Sequence, residues 1–227
     1  MEQNEGRGYL LRWLIPSLVA LGIIFAWSNH FNNSFHWDDF PRIVDNKAMQ
    51  SPRSFAQFFL RPRTSSELPE QTEYRPLLAT SFALDYALAG AEPFIFHVDT
   101  FVWFSALLLA LYALFRLVPG GSHFSSVIGT GLFALHPALA DTVNYISQRG
   151  AVISAFGIVA GLTIWIVWPR MLPERLWVDT RRTAVEWLEE VNTARAARRN
   201  ALYQRFVNLP LALYLVPVAL AMLAEPS

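Results

Sequence analysis

Three long apolar runs, at about 9–27, 93–117 and 151–168, constrain this chain more than any other feature. A helix rises about 1.5 Å per residue, so about 20 apolar residues cross the roughly 30 Å of bilayer hydrocarbon. Inside that layer every backbone N–H and C=O must be satisfied within the segment, which leaves helices as the simplest solution. The runs therefore predict an all-α, polytopic membrane protein. A shorter run, about 124–138, contains glycine, ends at His136-Pro137 and reads as a further span. The stretch 209–224 is apolar but broken by Pro210 and Pro217, and reads as a marginal fifth. The expectation is thus 4–5 transmembrane helices.

Composition agrees and removes several function classes. Hydrophobic residues make up 53% of the 227, and the 8 Trp and 17 Phe suit a bilayer, where aromatic rings gather at both interfaces. Lys+Arg and Asp+Glu balance at 18 each, and no basic stripe interleaved with aromatics lies outside the membrane-flanking segments, so no nucleic-acid partner is expected. The absence of Cys excludes disulfides, thiolate metal sites and cysteine nucleophiles. The first run is longer than a signal-peptide h-region and is followed by Ser28-Asn29-His30-Phe31 rather than a small-x-small cleavage pattern. It reads as a retained signal-anchor helix.

Arginine placement gives an orientation. Arg7 and Arg12, Arg116, and the eight Arg of residues 170–206 all fall on one side if the N-terminus is cytoplasmic, as the positive-inside rule requires. The polar stretch 28–92 is then extracytoplasmic, and the expected location is a membrane of inner-membrane type in a bacterium. Within that loop, Ser51-Pro52-Arg53-Ser54 reads as the start of a short helix. Tyr74 to Gly90 reads as an interfacial helix interrupted by Arg75 and Asp85. Gly157-x-x-x-Gly161 in the fourth run has a spacing that lets helices approach closely, although glycine is common in membrane helices generally. After Pro169 the chain becomes Arg-rich. The capping box Thr183-x-x-Glu186, or a cap at Asp179 or Thr180, predicts an amphipathic helix on the inner face, lying on the membrane or against a partner.

On this topology Asp38-Asp39, Arg75, His97, His136, Asp141 and Arg149 share the outer face. Adjacent carboxylates at a membrane boundary repel each other and are costly to desolvate. The pair either caps the turn that begins near Pro41, or supplies a general base whose neighbour tunes its pKa. Arg75, in Tyr74-Arg75-Pro76-Leu77, either snorkels to headgroup phosphates or clamps a phosphate bidentately. His136 ends a helix, and Asp141 and Arg149 bracket a tight loop in which they pair with each other. His36, Asp38, Asp39, His97 and Asp99 have no diagnostic metal-ligand spacing, and no metal is expected. Walker, G-x-S-x-G and H-E-x-x-H patterns do not occur.

Several strings taken in order resemble a known family. They are Trp37-Asp38-Asp39, Ile43-Val44-Asp45-Asn46, Tyr74-Arg75-Pro76-Leu77-Leu78-Ala79-Thr80-Ser81-Phe82, Pro93-Phe94-Ile95-Phe96-His97, Leu132-Phe133-Ala134-Leu135-His136-Pro137 and Thr142-Val143-Asn144-Tyr145-Ile146-Ser147-Gln148-Arg149. Together they are similar to the N-terminal membrane region of the transmembrane and tetratricopeptide-repeat protein O-mannosyltransferases and their bacterial relatives, which are GT-C enzymes. The resemblance runs from Phe35 to Arg149. It implies a GT-C-like transmembrane region at 1–168, whereas the Arg-rich segment of 169–227, with the inner-face helix and the marginal span, matches nothing in the family.

The resemblance further implies transfer of a sugar from a lipid-phosphate-linked donor to a Ser/Thr hydroxyl on the extracytoplasmic face. Asp38 or Asp39 would be catalytic, and Tyr74, Arg75, His136 and Arg149 would face the donor phosphate. The chain departs from the family at Thr100 and Phe104, where an Asn and a second His are usual. It also offers fewer spans than a full GT-C fold and no tetratricopeptide repeats. Two readings follow: a lipid-phosphate-sugar transferase, or a truncated, non-catalytic relative. The second would be an accessory or structural subunit embedded in lipid within a larger membrane complex, for example a bioenergetic one.

Overall fold

The computed structural model describes residues 2–51, 55–61, 66–68 and 73–171, with isolated positions at 216, 217, 219 and 223. The expected Arg-rich helix, the marginal fifth span and Pro52 to Ser54 lie outside the described residues. Among those described the chain is helical and has no strand. It forms α1 (Glu2–Ala26), α2 (Phe55–Leu60), α3 (Pro76–Ala89), α4 (Pro93–Leu117), α5 (His123–Ala134), α6 (Leu139–Asn144) and α7 (Arg149–Met171). Short turns at His30–Asn32, Phe40–Val44 and Ile146–Gln148 complete it.

Among the described residues, three helical stretches are long and apolar enough to cross a membrane: Trp13–Asn32, Pro93–Leu117 and Ile146–Val167. The chain is an all-α membrane protein. The first helix runs through Pro16 without ending there. The run expected to span at 124–138 contains α5, whose 12 residues reach only about 18 Å. It stops because Pro137 forces the residue before it out of the helical region, leaving His136 in a turn. α3 and α4 each begin with a proline, whose missing N–H costs nothing in a first turn.

The turn from α4 into α5 needs glycine. A Cβ on Gly121 would lie 2.2 Å from the Phe115 carbonyl oxygen, a separation no side chain tolerates. Ser122 then caps α5 reciprocally with Ser125. α4 packs chiefly along α7, and α5 lies against both α4 and α1. The α1–α5 approach is closest at Gly131, where a Cβ would fall 2.6 Å from Val19 Cγ1.

The buried core gathers at one end of this bundle. Ile43, Met49 and Phe58 of the 28–92 loop pack with Leu78 and Phe82 of α3, Phe96 of α4 and Ile153 of α7. A second cluster joins Trp27, Phe104, Ala134, Val143 and Val152. The Trp27 indole N–H also donates to the Ala134 carbonyl at 3.1 Å, satisfying an orphan acceptor at the end of α5. Away from this end, α1 exposes Trp13, Leu14, Leu18, Leu21, Ile24 and Phe25. Apolar surface of that extent on a spanning helix is lipid-facing surface. The described part of the long loop therefore packs against α3 and the first turns of α4 and α7.

Candidate functional site

The acidic pair is divided between two environments. Trp37, just before it, adopts a positive φ of 42° and is 87% exposed. Beyond it, Asp39 is turned inward and Asp38 keeps part of its side chain outward. Asp39 is fully buried. Its Oδ2 accepts the His36 N–H at 2.9 Å, and its Oδ1 accepts the Ser147 N–H at 2.9 Å and the Ser147 hydroxyl. Burial pushes its pKa up, and the three donors pull against that rise. It does not cap the Phe40–Val44 turn with its side chain. It pins the first loop to the segment before α7 instead.

Asp38 keeps a side chain 42% exposed, 4.0 Å from Arg42 Nη2. Its backbone N–H donates to the Tyr145 hydroxyl at 3.0 Å. Burial raises the Tyr145 pKa, with the nearby Asp38 and Asp39 charges adding to the rise, so the phenol stays protonated at neutral pH. Its proton remains available to a neighbour. Asp38 thus meets a phenol through its backbone N–H and a guanidinium through its carboxylate.

Arg42 connects this pair to the next segment. Its Nη1 lies 3.5 Å from Glu73 Oε2, and Arg75 Nη2 reaches the same oxygen at 2.7 Å. Tyr74 stays exposed and donates its hydroxyl to the Phe59 carbonyl at 3.0 Å. Arg75 is therefore tied to the acidic loop through Glu73, and Tyr74 anchors α2 beside it.

Arg149 lies in a separate cluster and is wholly buried. Nη1 contacts Asp85 at 2.6 Å, Asp99 at 2.8 Å and the Ser81 hydroxyl at 3.1 Å. Nε donates to Thr100 at 2.9 Å, and Nη2 donates to the Phe96 carbonyl at 2.7 Å. The guanidinium carbon also stands 4.8 Å from the centre of the Phe82 ring. All three of its nitrogens are thus engaged within the protein. The expected Asp141–Arg149 pair does not form: Asp141 is exposed, and Asp85 and Asp99 take its place because α3 and α4 pack against the start of α7. On α3, burial lifts the Asp85 carboxyl to about 6, with Arg149 lowering it and Asp99 raising it.

His136, in the turn after α5, is exposed, and its Nδ1 accepts the Ala138 N–H at 3.2 Å. His30 is buried between Asn144 and the His97 carbonyl, each at 2.9 Å. Among the described residues no group of three or more His, Asp and Glu is placed to hold a metal ion. The structure thus links Asp38 to Arg75 through Arg42 and Glu73, buries Asp39 on Ser147, and leaves Tyr74, Arg149 and His136 with other partners.

This chain is similar to protein O-mannosyl-transferases. It is 25% identical over 154 residues to mouse (Mus musculus) Protein O-mannosyl-transferase TMTC4, a match covering 61% of this chain and 21% of that protein. Human (Homo sapiens) Protein O-mannosyl-transferase TMTC3 is 26% identical over 147 residues, 63% of this chain and 16% of its own length. Protein O-mannosyl-transferase F38B6.6 of Caenorhabditis elegans is 25% identical over 169 residues, covering 72% and 24%. The match therefore spans about a fifth of the length of these relatives. No family model and no solved structure matches.

Four participants were not singled out as site residues from sequence: Arg42, Glu73, Tyr145 and Ser147. Arg42 and Glu73 look like ordinary loop charges, and only the fold shows that they meet. Asp85 did leave a signal, since a lone acid in an apolar helix demands a buried partner.

Proposed function

We propose that the surface around Asp38 is a GT-C-like transfer site on the extracytoplasmic side. There a sugar passes from a polyprenyl-phosphate donor to a Ser/Thr hydroxyl. The observation that carries this reading is the division of the acid pair: Asp38 presents its carboxylate outward, while Asp39 is spent on Ser147 and His36. In this reading Asp38 takes the proton of the acceptor hydroxyl. The hydroxyl oxygen bonds to the anomeric carbon, and the bond from that carbon to the phosphate oxygen breaks, releasing the lipid phosphate. Arg75 holds the departing charge, where charge-assisted hydrogen bonds count most. Asp39 positions the loop, and Arg149 fixes α3, α4 and α7 beneath it rather than touching the donor. His136 and Tyr74 lie at the rim. The arginines at 7, 12 and 116 support a cytoplasmic N-terminus, and a bacterial inner membrane fits that layout.

The second reading, an accessory subunit of a larger membrane complex, is favoured by one specific observation. Arg149, expected at the donor, is fully committed to internal contacts. Reconstitution of the purified chain with a polyprenyl-phosphate sugar and a Ser/Thr-rich peptide separates the two. Transfer by the wild type that falls at least about a hundredfold in Asp38→Asn, the scale of a lost general base, supports the enzyme. A wild type that transfers nothing from any lipid-linked sugar and purifies only with other membrane subunits supports the accessory role.

A further inference from the structure

We propose that Arg42 and Arg75 form a two-guanidinium site for a phosphate ester, and that the Glu73 carboxylate occupies it until a phosphate displaces it. The inference rests on the transferase reading for the identity of the ester, but its evidence is local. Both guanidiniums converge on a single oxygen, Glu73 Oε2, at 3.5 and 2.7 Å. The two cations are fixed, with side chains only 10% and 14% exposed, whereas Glu73 is 47% exposed. The anion is the member of the trio able to leave. A carboxylate held by two arginines has the charge and acceptor geometry of a bound phosphate, but offers fewer oxygens.

Arg42 supplies the second observation. Its Nε is buried with no hydrogen-bond partner. An orphan donor on a guanidinium is costly, and it marks an acceptor position that Glu73 does not fill. A phosphate monoester, with three terminal oxygens against a carboxylate's two, can bridge Arg75 and Arg42 and still reach Nε.

Arg42 is shared between Glu73 and Asp38, at 3.5 and 4.0 Å. An ester held there therefore lies beside the outward carboxylate.

The test is calorimetric titration of the detergent-purified full chain with farnesyl phosphate and, separately, with inorganic phosphate. Glu73→Gln removes the competing anion and should tighten farnesyl phosphate binding about tenfold, while Arg42→Gln should weaken it by about as much. Arg42→Lys, which keeps the charge and loses the fork, should fall between. Inorganic phosphate that follows the same order shows a site reading the phosphate group alone. A response confined to farnesyl phosphate shows that the lipid is the source. Both outcomes support the site. Binding in Glu73→Gln no tighter than in the wild type overturns it. If the wild type binds farnesyl phosphate, loses it in Arg75→Gln and ignores Glu73→Gln, the Glu73 gate is wrong and the transferase reading stands. If no form binds farnesyl phosphate, both fall.

Discussion

At the residue scale, two neighbouring aspartates have opposite fates, set by what each side chain meets. Asp39 is held by Ser147 and His36, and Asp38 stays 42% exposed beside Arg42. Asp39→Asn keeps the shape but replaces an acceptor oxygen with a donor against the His36 or Ser147 N–H. It should cost about 1–3 kcal/mol, the penalty for an unsatisfied buried group, read as a drop in chemical-unfolding free energy. Asp38→Asn should leave that free energy within about 0.5 kcal/mol, as exposed substitutions do. Arg149 makes the opposite case. Arg149→Met leaves Asp85 and Asp99 facing each other without a cation and should destabilise by about 3–5 kcal/mol. If Arg149→Met unfolded as readily as the wild type, Arg149 would not be the clasp described. Sequence alone made Asp38-Asp39 conspicuous but could not tell the two apart. Their difference depends on a serine more than a hundred residues away.

At the element scale, the long apolar runs were legible because length and hydrophobicity alone specify a spanning helix. The shortness of α5 was less so, since Pro137 stops the helix locally while the apolar run continues to it. The ion cluster joining α3, α4 and α7 was half legible: Asp85 stood out in an apolar helix, but its partner looked closer to Asp141 in sequence. That cluster carries a pH dependence. The Asp85 pKa is raised from 3.8 to about 6 by burial. The folded state therefore holds a proton that the unfolded state releases between these values. The associated stability is fully present below 3.8 and is lost as pH rises through 6. Relative to Asp85→Asn, the wild type should lose stability over this interval, with a slope of at most about 1.4 kcal/mol per pH unit. Parallel unfolding curves of the two proteins measure it, and identical slopes would contradict the burial. The α1–α5 crossing gives a second check. Gly131→Ala should cost about 1–3 kcal/mol by overpacking on Val19, and adding Val19→Ala should recover most of the loss.

At the scale of the whole molecule, the protein is a set of membrane helices capped at one end by a folded loop. The loop brings chemistry to that end: Asp38 with Arg42, Glu73 with Arg75, and Tyr145 come from three separate segments and are linked there. Apolar packing of Ile43, Met49 and Phe58 on α3, Phe96 and Ile153 holds them there. The same architecture serves catalysis or assembly, and both depend on which side of the membrane the cap occupies. Labelling of carboxylates by a membrane-impermeant carbodiimide and amine, in sealed vesicles of each orientation, addresses the central claim most directly. Peptide mass spectrometry should find Asp38 modified from the extracytoplasmic side and Asp39 protected until the protein is unfolded. Equal labelling of the two aspartates, or labelling of Asp38 only from the cytoplasmic side, would contradict a divided acid pair on the outer face.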